Sequence, residues 1–203
     1  MIKLCGMIDI IKYDEFKPVG KQKKKHQIIL THTSRNIDDY LQSLKFRFNG
    51  SFKRIPNYII TREGKIIQLL GNTEHSEYFK SSNINRNSII ISLENLGWLQ
   101  KEPLTDHYIN WIGDIYKGKV FERKWREYFF WQPYTDYQIE NLSKLCIELF
   151  KTLKIEQQII EHNTKINGIE KYTGVVSRSN FDTLFTDVSP AFNFEEFLKL
   201  IEK

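Results

Sequence analysis

Two short, uninterrupted apolar runs constrain the fold of this chain more than any other feature. Ile28-Ile29-Leu30 and Ile89-Ile90-Ile91 each lie inside a short segment bounded by polar residues. A run of this kind is typical of a strand that is buried on both faces of its sheet. Because such strands require helices on either side, the sequence predicts an α/β fold.

The remaining segments supply the other elements of that fold. Residues 57–70 predict a hairpin that turns at Glu63-Gly64, and residues 155–161 predict a last strand. Residues 98–133 show no sustained period and predict an elaborated surface segment. Helical spacing behind a capping residue predicts three helices, beginning near Asn36, Asp136 and Asn193. We therefore predict a single domain with a mixed central β-sheet flanked by helices.

Length and composition agree with one domain. A chain of 203 residues with 40% hydrophobic content buries one sizeable core. The strands begin at Gln27, so we assign residues 27–203 to the domain and residues 1–26 to an N-terminal extension whose structure the sequence leaves open.

The charge of the chain indicates an anionic partner. The net charge is +5 and the pI is near 9.0, which suits nucleic acid or the acidic polymers of a bacterial wall. Part of this charge is local, because Lys21, Lys23, Lys24 and Lys25 form a basic run, which we interpret as a solvated loop.

Cysteine usage and hydropathy predict a soluble protein without disulfide bonds. Cys5 and Cys146 form no CxxC pair, so neither a disulfide framework nor a cysteine metal site is indicated. No stretch of 18 apolar residues occurs, and charges interrupt any signal-peptide core near Met1, which predicts cytoplasmic synthesis and no membrane insertion. The oligomeric state stays open.

One set of residues suggests a metal site. His32 ends the first apolar strand, His162 follows the last one, and Asp187 lies in a loop. Two imidazoles and a carboxylate are the protein ligands of an open zinc site, whose fourth ligand is water of lowered pKa. Each residue also has a plainer interpretation, His32 and His162 as ordinary structural histidines and Asp187 as a turn residue before Ser189-Pro190.

Six segments in order show a resemblance that covers residues 27–197. They are His32-Thr33-Ser34, Arg62-Glu63-Gly64-Lys65, Glu74-His75-Ser76, Asn85-Arg86-Asn87-Ser88-Ile89, Pro133-Tyr134-Thr135 and Asp187-Val188-Ser189-Pro190. In this order they resemble the zinc-dependent N-acetylmuramoyl-L-alanine amidases of the phage-lysozyme and peptidoglycan-recognition type. The resemblance implies a Zn²⁺ cofactor held by His32, His162 and Asp187, and peptidoglycan as the partner.

The chain departs from that family where the family places its catalytic helpers. Pro56 and Ser92 stand at the two positions that hold a tyrosine or a glutamate in other members, and Phe185 stands at the position of a lysine. Glu94 falls on the same strand face as Ser92, so we predict Glu94 as the general base. Its alternative function is to cap the turn that follows it.

Five further residues complete the predicted site. By similar reasoning Tyr58 stabilises the oxyanion and Arg178 replaces the missing lysine. The predicted substrate contacts are His75, Ser92 and Asn95.

The sequence as a whole predicts a peptidoglycan hydrolase. The resemblance implies cleavage between N-acetylmuramic acid and the L-alanine of the stem peptide, by a phage lysis protein or a virion component. A wall-binding module of the same fold without turnover is the first alternative. A nucleic-acid-binding protein, suggested by charge alone, is the second.

Overall fold

A computed structural model describes residues 8–202 of the chain. The strands in chain order are β1 (Ile10–Lys12), β2 (Gly20–Lys21), β3 (Gln27–His32), β4 (Tyr58–Ile60), β5 (Ile66–Gln68), β6 (Glu74–His75), β7 (Ser88–Leu93), β8 (Trp98–Lys101), β9 (Tyr108–Ile109), β10 (Ile115–Tyr116), β11 (Phe121–Trp125), β12 (Tyr128–Trp131) and β13 (Gly174–Ser177). The helices are α1 (Ile37–Phe46), α2 (Ser82–Asn87), α3 (Asp136–Leu153) and α4 (Phe194–Ile201), with 3₁₀ turns at Ile169–Lys171 and Arg178–Asn180.

The central sheet is mixed, as predicted. Its six strands lie in the order β1-β5-β4-β7-β3-β13, and β4, β7, β3 and β13 run parallel to one another. β5 is antiparallel to β4, because the two form the predicted hairpin. The carboxyl ends of the four parallel strands therefore meet at one edge of the sheet.

Alternating residues of the buried strands pack against different layers. Ile28 and Leu30 of β3 belong to the core that α3 and α4 cover, whereas Ile29 packs on the other side with Tyr78 and Val176. α1 covers the same second side farther along the sheet through Tyr40 and Leu44. Burial on both faces explains why these strands are apolar without alternation.

Two predicted elements differ from the structure. Residues 155–161 form no regular strand, only an isolated parallel bridge between Ile159 and Val175, and β13 takes the place beside β3. Helix α3 is capped by Thr135 rather than Asp136, with a capping box in which Gln138 completes the second bond.

The tryptophan-rich segment is more ordered than the sequence suggested. It forms a second, antiparallel sheet in the order β10-β9-β8-β12-β11, which includes residues 98–131. Trp131 is fully buried in it, and its indole nitrogen donates to the Arg123 carbonyl at 2.9 Å. Cross-strand aromatic pairs, among them Trp98 stacked on Tyr128, stabilise this sheet, although apolar and polar residues alternate only weakly along its strands.

The start of the chain also takes part in the domain. From residue 8 onward, the predicted extension contributes β1, parallel to β5, and β2, antiparallel to β6. Lys25, predicted to be solvated, is 2% exposed and donates to the carbonyls of Glu74 and Arg86 at 3.2 and 2.8 Å. Burial lowers the pKa of Lys25 to about 8. Cys5 lies outside the described residues.

Candidate active site

His32 lies at the edge where the parallel strands end. It is the last residue of β3, pairs with Leu93 of β7, and is only 7% exposed. Gly97 lies directly against the ring, since a Cβ there would be 2.9 Å from His32 Nε2, and Gly97 has a φ of +79°. Only glycine accommodates both the backbone conformation and this close approach.

Tyr134 connects His32 to the loop that carries Asp187. Its hydroxyl lies 3.4 Å from His32 Nδ1 and accepts a hydrogen bond from the Ser189 backbone N–H at 3.3 Å. Burial raises the pKa of Tyr134 above its ordinary value, so the phenol stays protonated near neutral pH. Tyr134 stands in the segment that carries the family resemblance, but its role at the site was not predicted.

Asp187 is buried beside a cation. It is 2% exposed, its Oδ2 lies 3.4 Å from Arg178 Nη1, and its carbonyl accepts from the Ser179 backbone N–H at 2.7 Å. Arg178 in turn packs on the ring of Phe185, 3.9 Å from its centroid. The structure thus brings Arg178 and Asp187 together, although nine positions separate them in the chain.

The electrostatics of the site keep His32 neutral. Burial is the main cause that lowers the pKa of His32; the charge of Asp187 opposes it and the charge of Arg178 adds to it. A neutral imidazole has a free ring lone pair, which is the form that binds a metal ion or accepts a proton.

His162 is not joined to this group. Its side chain is exposed, and its Nδ1 accepts a hydrogen bond from the Thr164 backbone N–H at 3.2 Å. Its carbonyl accepts from Asn180 Nδ2 at 2.8 Å, which ties its backbone to the turn after Arg178. Of the three predicted metal ligands, the structure brings His32 and Asp187 together and leaves the His162 ring outside.

The metal prediction therefore fits in part. His32 and Asp187 offer a nitrogen and an oxygen donor of the types that zinc accepts. Within residues 8–202, however, no group of three His, Cys, Asp or Glu side chains is arranged to hold a metal ion. An open zinc site has three protein ligands, and the structure brings only two of the predicted donors together.

Glu94 lies close to the same edge with both carboxylate oxygens in use. Oε1 accepts from the backbone N–H of Ile37 at 2.9 Å, and Oε2 accepts from that of Arg62 at 2.9 Å. The residue is 7% exposed. A carboxylate held by two backbone amides joins the start of α1 to the hairpin turn, and the structure does not support Glu94 as a free general base.

We expect Glu94→Gln to affect stability more than chemistry. An amide offers one oxygen where two backbone N–H groups now donate, so one buried donor loses its partner, at a cost of about 1 to 3 kcal/mol. Thermal and urea unfolding measure this change, and Glu102→Gln, at a partly exposed position outside this network, is the control. A fully stable Glu94→Gln protein with strongly reduced turnover would contradict this interpretation and restore the general base.

Tyr58 is also removed from the edge of the sheet where β3 ends at His32, which we call the reaction edge. Its hydroxyl donates to Asn72 Oδ1 at 2.6 Å and accepts from Gln68 Nε2 at 3.0 Å. It is 2% exposed in the core under α3, and burial raises its pKa to about 12. These contacts do not support the predicted oxyanion function.

The three residues predicted to contact substrate are also unavailable to a substrate bound at His32. Ser92 and Asn95 have no exposed surface; Asn95 Nδ2 donates to the Gln132 carbonyl at 3.0 Å and its Oδ1 accepts from the Gly97 N–H. His75 is in β6, with its ring against Gly20. None of the three is placed to touch a substrate at His32. Ser92 and Asn95 are fully buried, and His75 lies in the small β2–β6 sheet.

A chain of buried hydroxyls lies behind Arg178, and no sequence motif predicted it. Tyr78 Oη is 3.1 Å from Thr31 Oγ1, which donates to Ser92 Oγ at 3.1 Å. The guanidinium of Arg178 lies 5.5 Å from the Tyr78 ring centroid. Tyr40 adjoins the same group, and burial raises its pKa well above the ordinary value. Tyr40 was visible only as a core position of a helix, and no motif marked Tyr78.

Comparison with known proteins decides the family. The sequence model of the family described as N-acetylmuramoyl-L-alanine amidase matches residues 21–173. The chain belongs to this amidase family. The match spans β3, β7 and α3, the elements that hold His32 and Tyr134 at the reaction edge.

Solved amidases share the fold at low sequence identity. The amidase LysC from Clostridium intestinale URNW is 13% identical, with a TM-score of 0.58, and the match covers 96% of this chain and 97% of that one. AmiD from E. coli, solved with anhydro-N-acetylmuramic acid-L-Ala-D-γ-Glu-L-Lys, is 18% identical, with a TM-score of 0.54 and coverage of 92% and 60%. AmpDh3 from Pseudomonas aeruginosa, solved with an anhydromuramic pentapeptide, is 13% identical, with a TM-score of 0.56 and coverage of 94% and 65%. No curated protein matches the chain.

Proposed function

We propose that this protein hydrolyses the amide bond between the lactyl group of N-acetylmuramic acid and the L-alanine of the peptidoglycan stem peptide. The observation that carries the proposal is the Tyr134 hydroxyl, which lies 3.4 Å from His32 Nδ1 and accepts from the N–H of Ser189, two residues after Asp187, at the carboxyl edge of the parallel strands in a chain of this amidase family. The muramyl peptides bound to AmiD and AmpDh3 support the substrate class.

The residues at this edge suit amide hydrolysis. Addition of water to a carbonyl needs a group that stabilises negative charge on the oxygen and a group that manages protons. Arg178 offers a cation that is permanently charged and already held beside Asp187. We propose that Arg178 stabilises the oxyanion, and that neutral His32 with the Tyr134 hydroxyl fixes the orientation of the site.

We also propose that the activity depends on zinc. His32 and Asp187 would hold the ion, and His162 would complete the set, since its backbone is already tied to the Arg178–Asn180 turn through Asn180. When bound, zinc supplies Lewis-acid chemistry and lowers the pKa of water to about 7.

One of the solved structures supports a proposal for the biological setting. LysCS from Clostridium intestinale URNW, with a TM-score of 0.58 and 13% identity, carries the description endolysin. We propose a bacteriolytic function of the phage type for this chain, in lysis or as a virion component. In the part of the chain that the structure describes, no helix is long and apolar enough to cross a membrane.

Digestion of purified sacculi tests the bond that is cleaved. We expect new amino groups on L-alanine and no new reducing sugars, because glycoside cleavage requires a carboxylate pair around the sugar linkage. Labelling of free amino termini and a reducing-sugar assay measure the two products. Reducing ends without free alanine amines would exclude an amidase.

A wall-binding module without turnover is the second candidate. Two observations favour it, namely the outward His162 ring and the engagement of both Glu94 oxygens. Such a module would sediment with sacculi and release neither product. Binding without products, in the presence of added zinc, would therefore replace the amidase proposal by this one.

A further inference from the structure

One surface is unrelated to the reaction edge and has an unusual composition. Residues 45–54, Lys-Phe-Arg-Phe-Asn-Gly-Ser-Phe-Lys-Arg, include three phenylalanines and four cations and no acidic residue. They form the end of α1 and the loop after it, which we call the Phe46–Phe48 tip. Phe46 is 70% exposed and Phe48 is 66% exposed.

The tip is held in a defined shape. Phe52 packs on the core under α1 and lies 6.1 Å from Phe48, centroid to centroid. The Arg47 guanidinium lies 5.1 Å from the Phe48 ring and 5.0 Å from the Phe52 ring. Ser51 bonds back to the Phe48 carbonyl through its N–H at 3.0 Å and its hydroxyl at 2.6 Å. Phe46 is the last residue of α1 and Phe48 lies in this turn, so a helix end and an ordered turn carry the two exposed rings.

Cations lie beside the Phe48 ring. An open cleft of about 760 Å³ beside the tip is lined by Arg47, Lys53, Arg54 and Lys80. Two carboxylates offset part of this charge, since Glu15 pairs with Lys45 and Glu77 lies 3.6 Å from Lys53. The balance is positive, and Arg47, Arg54 and Lys80 have no ion pair with a described residue.

We infer that the Phe46–Phe48 tip docks on an anionic lipid bilayer. A bilayer interface offers phosphate headgroups to the cations and hydrocarbon to the two exposed rings at the same time. A soluble polyanion, such as nucleic acid or a phosphate-rich wall polymer, would use the cations and leave both rings in water. The inference is independent of the amidase proposal, because the tip includes no residue of the reaction edge.

Vesicle sedimentation of the whole protein tests this inference. We expect it to partition at least about tenfold more strongly into phosphatidylcholine vesicles that contain phosphatidylglycerol than into pure phosphatidylcholine, since each basic residue near an anionic surface contributes about fivefold. The F46S/F48S variant should lose at least about tenfold of that partitioning, because its rings no longer enter the hydrocarbon. High salt should weaken the binding.

A matched variant distinguishes binding through the tip from non-specific binding of exposed apolar side chains to the vesicles. Leu104, in the turn between β8 and β9, and Ile115, in β10, are 96% and 62% exposed, so L104S/I115S removes a similar exposed apolar surface elsewhere. It should partition within about twofold of the unmodified protein. Three results would overturn the inference: no binding to either vesicle, an equal loss in both variants, or anionic binding that F46S/F48S leaves unchanged and soluble polyphosphate abolishes.

Discussion

His32→Ala and Asp187→Ala are each expected to lose more than about 100-fold of amidase activity on sacculi, because the loss of groups that merely orient a metal ligand already costs about 10 to 100-fold. Each variant should also lose bound zinc, since His32 and Asp187 are the two proposed ligands that lie on either side of the Tyr134 hydroxyl. Product release measures the first effect and elemental analysis of the purified protein measures the second.

Two further histidine variants sharpen this test. His26→Ala is the control, because His26 precedes β3 at the opposite end of that strand, and it should retain both zinc and activity. His162→Ala should lose zinc if its ring completes the ligand set. A His162→Ala protein with full zinc occupancy would show that the third ligand is another group, and zinc retained by His32→Ala would refute the proposed site.

The second large effect is expected at Arg178. Arg178→Gln should lower kcat about 100- to 1000-fold with a small change in KM, since a preorganised donor to an oxyanion acts in the transition state. Arg178→Lys keeps the positive charge beside Asp187 and should recover part of the loss. Steady-state kinetics on a soluble muramyl peptide separate the two constants.

A structural role for Arg178 would give a different pattern. The guanidinium packs on Phe185 and Tyr78, so its removal also changes local packing. If Arg178→Gln and Arg178→Lys lose the same activity and the same thermal stability, the residue only supports the fold. Arg123→Gln, at an exposed position of the antiparallel sheet, is the control and should leave kcat unchanged.

Local signals in the sequence determined much of the fold. The apolar runs of β3 and β7 predicted strands buried on both faces, and the hairpin and three helices followed from turn residues, caps and helical spacing. Local sequence signals did not predict strands that are defined by their pairing with distant segments. β13 was missed because its identity as a strand depends on its partner β3, and the antiparallel sheet was missed because cross-strand aromatic contacts replace a regular period.

The candidate site divides in the same way. Motif order in the sequence identified His32 and Asp187, and the missing lysine suggested Arg178. His32 ends β3 and Arg178 follows the end of β13, so these two lie at one edge of the parallel sheet, whereas Asp187 reaches Arg178 through its loop. The state of each side chain was decided by the tertiary structure. Glu94 has the sequence position of a base, yet two backbone amides from distant segments occupy its oxygens. His162 has the position of a ligand, yet a hydrogen bond within its own loop turns its ring to solvent. Sequence order places residues along the chain, whereas the hydrogen bonds formed in the folded protein decide which side chains stay free to react.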